Sequence, residues 1–298
     1  MRRLGFTMIE LVFVIVVMGI IGKFGVEFLA QAYKSFIFSN VNHNLQSNSE
    51  MTVNTVAARL QYRIKDSVIK RRSDNNDFLA IGSDIGGVDP REYNILEWVG
   101  TDIEGFRGDT LPYWSGIIDL DNPSSSATSL VSPETNTTAV NNLIQVLRPT
   151  GSTTTFNNAA IYFIGSNSDI NNYGWDSVTP AIGSRVMHPI TTGANLNRLD
   201  GNLTDVDVYE YYQLAWTAYG VGIADWNATG NETGTLTLWY DYQPWEGETY
   251  LDAEANATIM ENVSTFQFKS VGSVIKIQVC TKSDLVEEYS ICKEKTVF

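Results

Sequence analysis

Glu10 is the residue in this 298-residue chain whose type and place most need a chemical reason. It stands four residues after Phe6 and just ahead of an apolar run, residues 11–22, that carries no charge. A carboxylate inside a segment that would sit in lipid costs a few kcal/mol or more unless it finds a partner. The chemistry open to it is ion pairing. Other reactive side chains are sparse. His43 and His188 are the only histidines, and Cys280 and Cys292 the only cysteines, which leaves almost nothing for a zinc site. No nucleophile elbow, phosphate loop, HExxH or dinucleotide fingerprint occurs. Asp119 and Asp121, and again Asp205 and Asp207, are the carboxylates a calcium ion would find. Neither pair has the EF-hand spacing with its glycine and closing glutamate, and calcium wants six to eight oxygens. Asp205 and Asp207 alternate in a strand-like pattern, so they read as one solvated face, and no cofactor is expected.

The elements that hold these residues begin with a long helix. Residues 6–22 form a 17-residue apolar stretch, at the short end of the roughly 17–25 needed to cross a bilayer. Lys23 can extend its ammonium to the far interface. Arg2 and Arg3 precede the run and nothing comparably basic follows, which puts the N-terminus in the cytoplasm and the rest across the membrane. A secretory signal peptide shares this outline, but its small-x-small cleavage site is matched only weakly, at Leu29-Ala30-Gln31-Ala32, and Glu10 has no place in it. Farther on, Val53, Val56, Leu60, Ile64 and Val68 recur every three or four residues, with Arg59, Arg63 and Lys65 between them. That spacing predicts an amphipathic helix, so the helix should run from residue 6 to about 69, of order 95 Å. Its second half should pack on a globular head.

"GFTMIELV", with its basic leader, glycine before phenylalanine and glutamate four residues on, resembles the processing signal of type IV pilins and the pseudopilins of type II secretion. The resemblance covers about the first 25 residues. It implies a cut between Gly5 and Phe6 by a membrane-bound prepilin peptidase, followed by N-methylation of Phe6. Loss of Arg2 and Arg3 would take the formal charge from −14 to −16. It also implies a role for Glu10: pairing with the new amine of a neighbouring subunit during assembly, each charge offsetting the other's desolvation. The partners implied are other pilins or pseudopilins, the peptidase, and an assembly platform in the inner membrane. More weakly, "PWEGE", "ENVSTFQF" and the hairpin that follows resemble minor pseudopilins of the J type and W-like minor pilins. The length argues against a major, shaft-forming subunit.

The expected fold class is α+β and pilin-like: a leader over 1–5, a membrane and assembly helix over 6–30, its amphipathic continuation over 31–72, and a β-rich head over 73–298. Strands are expected at 78–81, 93–99, 113–120, 143–147, 160–164, 206–216 and 235–242. The clearest is a hairpin over 266–280, turning at Gly272-Ser273. Long polar loops, over 122–140, 165–177 and 191–205, separate them. Tyr209, Tyr211, Tyr212 and Trp216 read as core and cross-strand pairs before they read as a binding surface. Translocation places Cys280 and Cys292 outside the cytoplasm, where a disulfide closing that short loop persists and pins the tail to the sheet; two free thiols are the alternative. The acidic balance argues against nucleic acid as a partner.

Four segments read acid-x-Asn-x-Thr, at Asn136, Asn202, Asn227 and Asn256. They resemble the acceptor of bacterial oligosaccharyltransferases, but a chain rich in Asp, Asn and Thr produces such strings, and composition is the favoured reading. The expected function is a minor pilin or minor pseudopilin at or near a filament tip, not an enzyme. An adhesin or binding module on the same filament is the alternative, and a membrane-anchored extracytoplasmic enzyme the third. The expected place is the inner membrane, single-pass with the head periplasmic, then the filament.

Overall fold

The computed structural model describes residues 7–74, 76–166, 168–230, 232–283 and 289–298. In chain order the elements are α1 (Met8–Leu60), β1 (Ile69–Arg72), β2 (Phe78–Ala80), β3 (Tyr93–Gly100), α2 (Ile103–Arg107), β4 (Ser129–Val131), α3 (Thr137–Leu147), β5 (Ala160–Phe163), β6 (Met187–Pro189), β7 (Thr191–Thr192), β8 (Arg198–Asp200), β9 (Tyr212–Ala215), β10 (Thr217–Asn227), β11 (Thr233–Tyr240), β12 (Ala255–Val271), β13 (Val274–Lys282) and β14 (Ser290–Val297). The class is α+β. A 53-residue helix packs its C-terminal part on an eight-stranded antiparallel sheet, ordered β14-β13-β12-β11-β10-β3-β1-β2.

α1 is about 80 Å long at 1.5 Å per residue. Its first thirty or so residues expose apolar side chains on every side, Ile9, Phe13, Ile21, Phe24, Phe28 and Phe36 among them. It is long and apolar enough to span a membrane, and its most apolar window has nothing buried against the head. From Val41 onward one face turns inward, and Val53, Val56, Ala57 and Leu60 join Trp98, Val221, Leu236, Phe266 and Ile277 in one core. The narrow stripe that meets the sheet reads as amphipathic only over this second half.

The helix stops at Leu60 and does not run to about residue 69, so the expected continuation over 31–72 is too long. Ile64 and Val68 are buried as their spacing requires, at 0% and 2% exposure, but from extended backbone. The Ile64 N–H bonds to Val99 O at 2.9 Å, Thr101 N–H to Tyr62 O at 2.8 Å, and Val99 N–H to the Ser67 hydroxyl at 3.0 Å. The chain thus peels off the helix to pair with β3 and becomes β1. A three-to-four spacing of apolar residues is met equally by a turn that buries alternate residues under a sheet, and the β-branched Ile64, Val68 and Ile69 suit the second geometry.

The hairpin at the C-terminus forms as expected. β12 and β13 pair from Val263↔Thr281 to Val271↔Val274, with Gly272 at φ 60° in the turn. β14 then adds outside β13, in register from Ile275↔Val297 to Lys282↔Ser290. The strands expected at 78–81, 93–99, 160–164 and 235–242 are present within one or two residues at their starts and ends. Three others differ. Residues 143–147 belong to α3, whose N-cap is Asn136 and whose Val140 and Ile144 face inward one turn apart. Residues 113–120 form no strand; Trp114 and Ile118 are buried from a looping backbone. Of 206–216 only Tyr212–Ala215 is strand, and β10 begins immediately beyond it. Two of the polar loops carry short strands and not loops alone. β4, β8 and β7 form one small sheet, and β6, β5 and β9 another, around a separate core of Trp114, Val140, Ile144, Phe156, Phe163 and Trp216.

Candidate functional site

Gly5 and Phe6 lie outside the described residues. Glu10 is the first sequence-predicted site residue the structure places. Thr7 caps α1: its hydroxyl accepts from Glu10 N–H at 3.4 Å, while the Glu10 carboxylate accepts from Thr7 N–H at 2.9 Å and from the Thr7 hydroxyl at 2.8 Å. This is a capping box, which satisfies two of the donors a helix start leaves open. Both bonds reach Oε2, so Oε1 can take a further donor. The Thr-x-x-Glu spacing carries this arrangement in the sequence, yet attention to Glu10 alone passes over Thr7. Along the same exposed helix Lys23 pairs with Glu27 at 3.8 Å, one turn on.

At the other end of α1, Arg63 gathers three carbonyls. Its guanidinium donates to Leu60 O at 2.9 Å, Ser273 O at 2.8 Å and Phe298 O at 3.4 Å. The last helical carbonyl, the hairpin turn and the final residue are thereby tied together. Cys280 and Cys292 sit opposite one another on β13 and β14 and are disulfide-bonded. The bond pins the C-terminal strand to the sheet, and α1 in turn packs on β14 and β13. In "PWEGE" Pro244 and Trp245 are buried and Glu246 is exposed; Trp245 donates to Asn158 O at 2.9 Å, and Gln243 N–H bonds to the Glu248 carboxylate at 2.7 Å. Across from it Gly174, at φ 93°, comes so near Pro244 O that a Cβ there would sit 1.9 Å away.

The sequence reading missed the buried charges. Arg71 and Glu97 form an ion pair with both side chains at 0% exposure. The Tyr242 hydroxyl donates to Glu97 at 2.8 Å, and the Arg71 guanidinium also reaches Trp175 O at 2.8 Å and Asn76 Oδ1 at 2.9 Å. Burial pushes the Glu97 carboxyl up, against the pull of Arg71 and Tyr242. Trp175 belongs to the stretch between the main sheet's strands, so this network joins that stretch to β1 and β3. Its signal was a lone acid within the apolar run that follows Asn94 in the strand "YNILEWVG". Asp102 is a second buried acid. It caps α2 through Gly105 N–H at 3.1 Å and accepts from the Trp114 indole at 3.2 Å, and burial raises its pKa to about 6. His188, on β6, is lowered to about 4 by burial and then by Arg185. All three read as parts of the packed interior.

The remaining expected residues are dispersed. Asp119 accepts from Asn122 at 3.2 Å in a turn. Asp121 is exposed. Asp205, in a turn at φ 60°, and Asp207, in the irregular backbone beyond it, are exposed and lie ahead of β9, which corrects the strand face expected for them. Among the described residues no three His, Cys, Asp or Glu side chains are grouped to hold a metal ion. Tyr212 and Trp216 are core, Tyr209 is half-buried and Tyr211 is exposed. Asn202, Asn227 and Asn256 are exposed and Asn136 is half-buried. Compared with family models, curated proteins and solved structures, the chain matches none, so its functional reading rests on the N-terminal signal and the exposed helix that follows it.

Proposed function

We propose that this chain is a minor pilin or minor pseudopilin: cleaved between Gly5 and Phe6, N-methylated on Phe6, held in the inner membrane by α1, and then assembled at or near the tip of a type IV-like filament. One observation carries the reading. Residues 11–22 of α1 are apolar on all sides, and the N-terminal half of the helix packs on none of the described residues of the head, while the C-terminal half is amphipathic and packs on the head. A helix of the first kind needs lipid or other helices around it. Capping the helix engages Oε2 of Glu10 and leaves Oε1 open, an acceptor that a membrane anchor alone does not need.

The chemistry proposed for Glu10 is electrostatic. Cleavage creates a cation on Phe6 that the precursor lacks. A neighbouring subunit's Glu10, already turned toward its own helix start by Thr7, offers Oε1 to that amine. The pair forms within apolar surroundings, where one charge without the other is expensive, so it sets the axial register that a uniform apolar stripe leaves open. The widened head, with its two small sheets outside the main one, supports a place at the tip over one in the shaft. Glu10→Val is the test. The expected outcome is a chain still cleaved by the peptidase, still in the membrane fraction, and absent from sheared filaments. Normal incorporation of the variant into filaments contradicts the reading.

A further inference from the structure

Asn-x-Ser/Thr, with x not proline, occurs six times in the chain, at Asn136, Asn202, Asn227, Asn231, Asn256 and Asn262. Four of the six have an acid two residues ahead, although only 34 of the 298 residues are acidic, a frequency that would place an acid there in fewer than one of six. All four of those close on Thr. Composition therefore explains the asparagines and threonines but not the acids in front of them.

The fold separates the four. Asn136 is the N-cap of α3, its side-chain oxygen held by Ala139 N–H at 3.0 Å, with Thr135 and Thr137 buried on either side. Around Asn202, Gly201 N–H and Leu203 N–H bond to Thr128 O and Ala127 O at 3.0 and 2.8 Å, Leu203 is buried, and the Asp200 carboxylate is taken by Ser129. Asn256 is in ladder register with Trp239, and Ala257 and Thr258 continue that ladder. Asn227 differs. Residues 225–229 are all exposed, at the tip of the β10–β11 hairpin. The ladder breaks between Ala224 and Asn227, so Asp225, at φ 52°, and Trp226 bulge out of it; Asn227 rejoins it only at its last pair, with Thr233, and Ala228 and Thr229 lie beyond it in the turn. The Thr229 hydroxyl bonds to Asn227 Oδ1 at 3.4 Å and Gly230 N–H to the same oxygen at 3.0 Å.

We infer that Asn227 is the site of an N-linked glycan, added after the head has folded, and that Asn136, Asn202 and Asn256 stay unmodified. An enzyme that grips five residues, from the acid to the threonine, needs a segment it can lift from the surface, and 225–229 is the segment that offers one. The donor is an oligosaccharide on a polyprenyl diphosphate. Asn227 Nδ2 attacks the anomeric carbon of the first sugar, the bond from that carbon to the diphosphate oxygen breaks, and the polyprenyl diphosphate leaves with the electron pair. One amide proton passes to a base of the transferase. The position also suits a membrane-held donor, a point that rests on the membrane reading of α1. Glu232, at the same hairpin end, is 3.4 Å from Lys282, and Lys282 shares a groove with Val41 and Asn44 of α1. With the span ending near residue 30, that groove begins about 15–20 Å of helix beyond it.

The test is the intact mass of the full chain isolated from its own cells, wild type beside Asn227→Gln and Thr229→Val. The expected wild-type mass is that of the processed chain plus one oligosaccharide. Asn227→Gln should remove the whole increment, and Thr229→Val should lower occupancy at least tenfold with an unchanged thermal melt. An unmodified wild-type mass overturns the inference, as does an increment that survives Asn227→Gln. The same spectrum reports the N-terminus. A bare chain that begins at Phe6 overturns the glycan and keeps the pilin reading, while a glycosylated chain that begins at Met1 does the reverse.

Discussion

At the scale of single residues, the buried acids give the sharpest expectations. The Asp102 carboxyl is raised from 3.8 to about 6 by burial, so the folded state holds its proton where the unfolded state has lost it. Its contribution to stability is full below about pH 4 and is lost as pH rises through 6. Asp102→Asn keeps the cap on α2 and cannot ionise. It should melt with the wild type near pH 4 and be the more stable protein at pH 7, by up to about 3 kcal/mol. An Asn variant less stable than wild type at pH 7 contradicts this. His188 acts in the opposite sense over a similar window, since a histidine kept neutral loses stability as pH falls from 6.5 toward 4. The difference between variant and wild type therefore isolates Asp102. For the Arg71–Glu97 pair, replacing one partner leaves a buried charge alone and should cost about 3–5 kcal/mol. Replacing both with methionine should cost less than either single change. Urea unfolding of the three variants tests the non-additivity.

At the scale of elements, the C-terminal strand is the one most exposed to loss. β14 is the edge of the sheet, carries much of the contact with α1, and is fastened by the Cys280–Cys292 bond. Changing both cysteines to serine should lower stability by roughly 2–3 kcal/mol. Amide exchange should quicken in β14 before it quickens in β10 or β3, which lie inside the sheet. Unchanged protection in β14 would show the bond to be dispensable there. The disulfide was legible because the cysteines number only two and the hairpin that ends at Cys280 alternates cleanly; β14 was expected only as a tail pinned to the sheet, not as a strand. The end of α1 was not. Leu60, Ile64 and Val68 keep helical spacing across a point where the backbone leaves the helix, and the reason is a pairing partner, β3, some thirty residues away. Residues 143–147 misled for a related reason: a five-residue apolar window has no visible period, and the Asn136 cap that marks α3 lies seven residues upstream.

At the scale of the molecule, local pattern and assembled structure part company in the middle of the chain. The long helix, the main-sheet strands at 78–81, 93–99 and 235–242, and the final hairpin were readable from period and turn chemistry. Of the two small sheets only β5 and β9 fell inside expected strands; the others were not readable, because strands of two to four residues such as β7 and β8 carry almost no periodicity, and their core draws residues from Trp114 to Trp216. Of the candidate site, Glu10 stood out as a charge out of place, whereas Thr7 was ordinary as a type and informative only with its partner. The widened head leads to an expectation about copy number: antibody against it should label filament ends, and label along the whole length would contradict a tip position. The central claim concerns the other end of the chain, and the N-terminal peptide of the protein isolated from its own membranes tests it most directly. Mass spectrometry should find a chain that begins at N-methylated Phe6, with residues 1–5 gone. A chain that begins at Met1, or one cut beyond the apolar run near Ala32, would contradict the account.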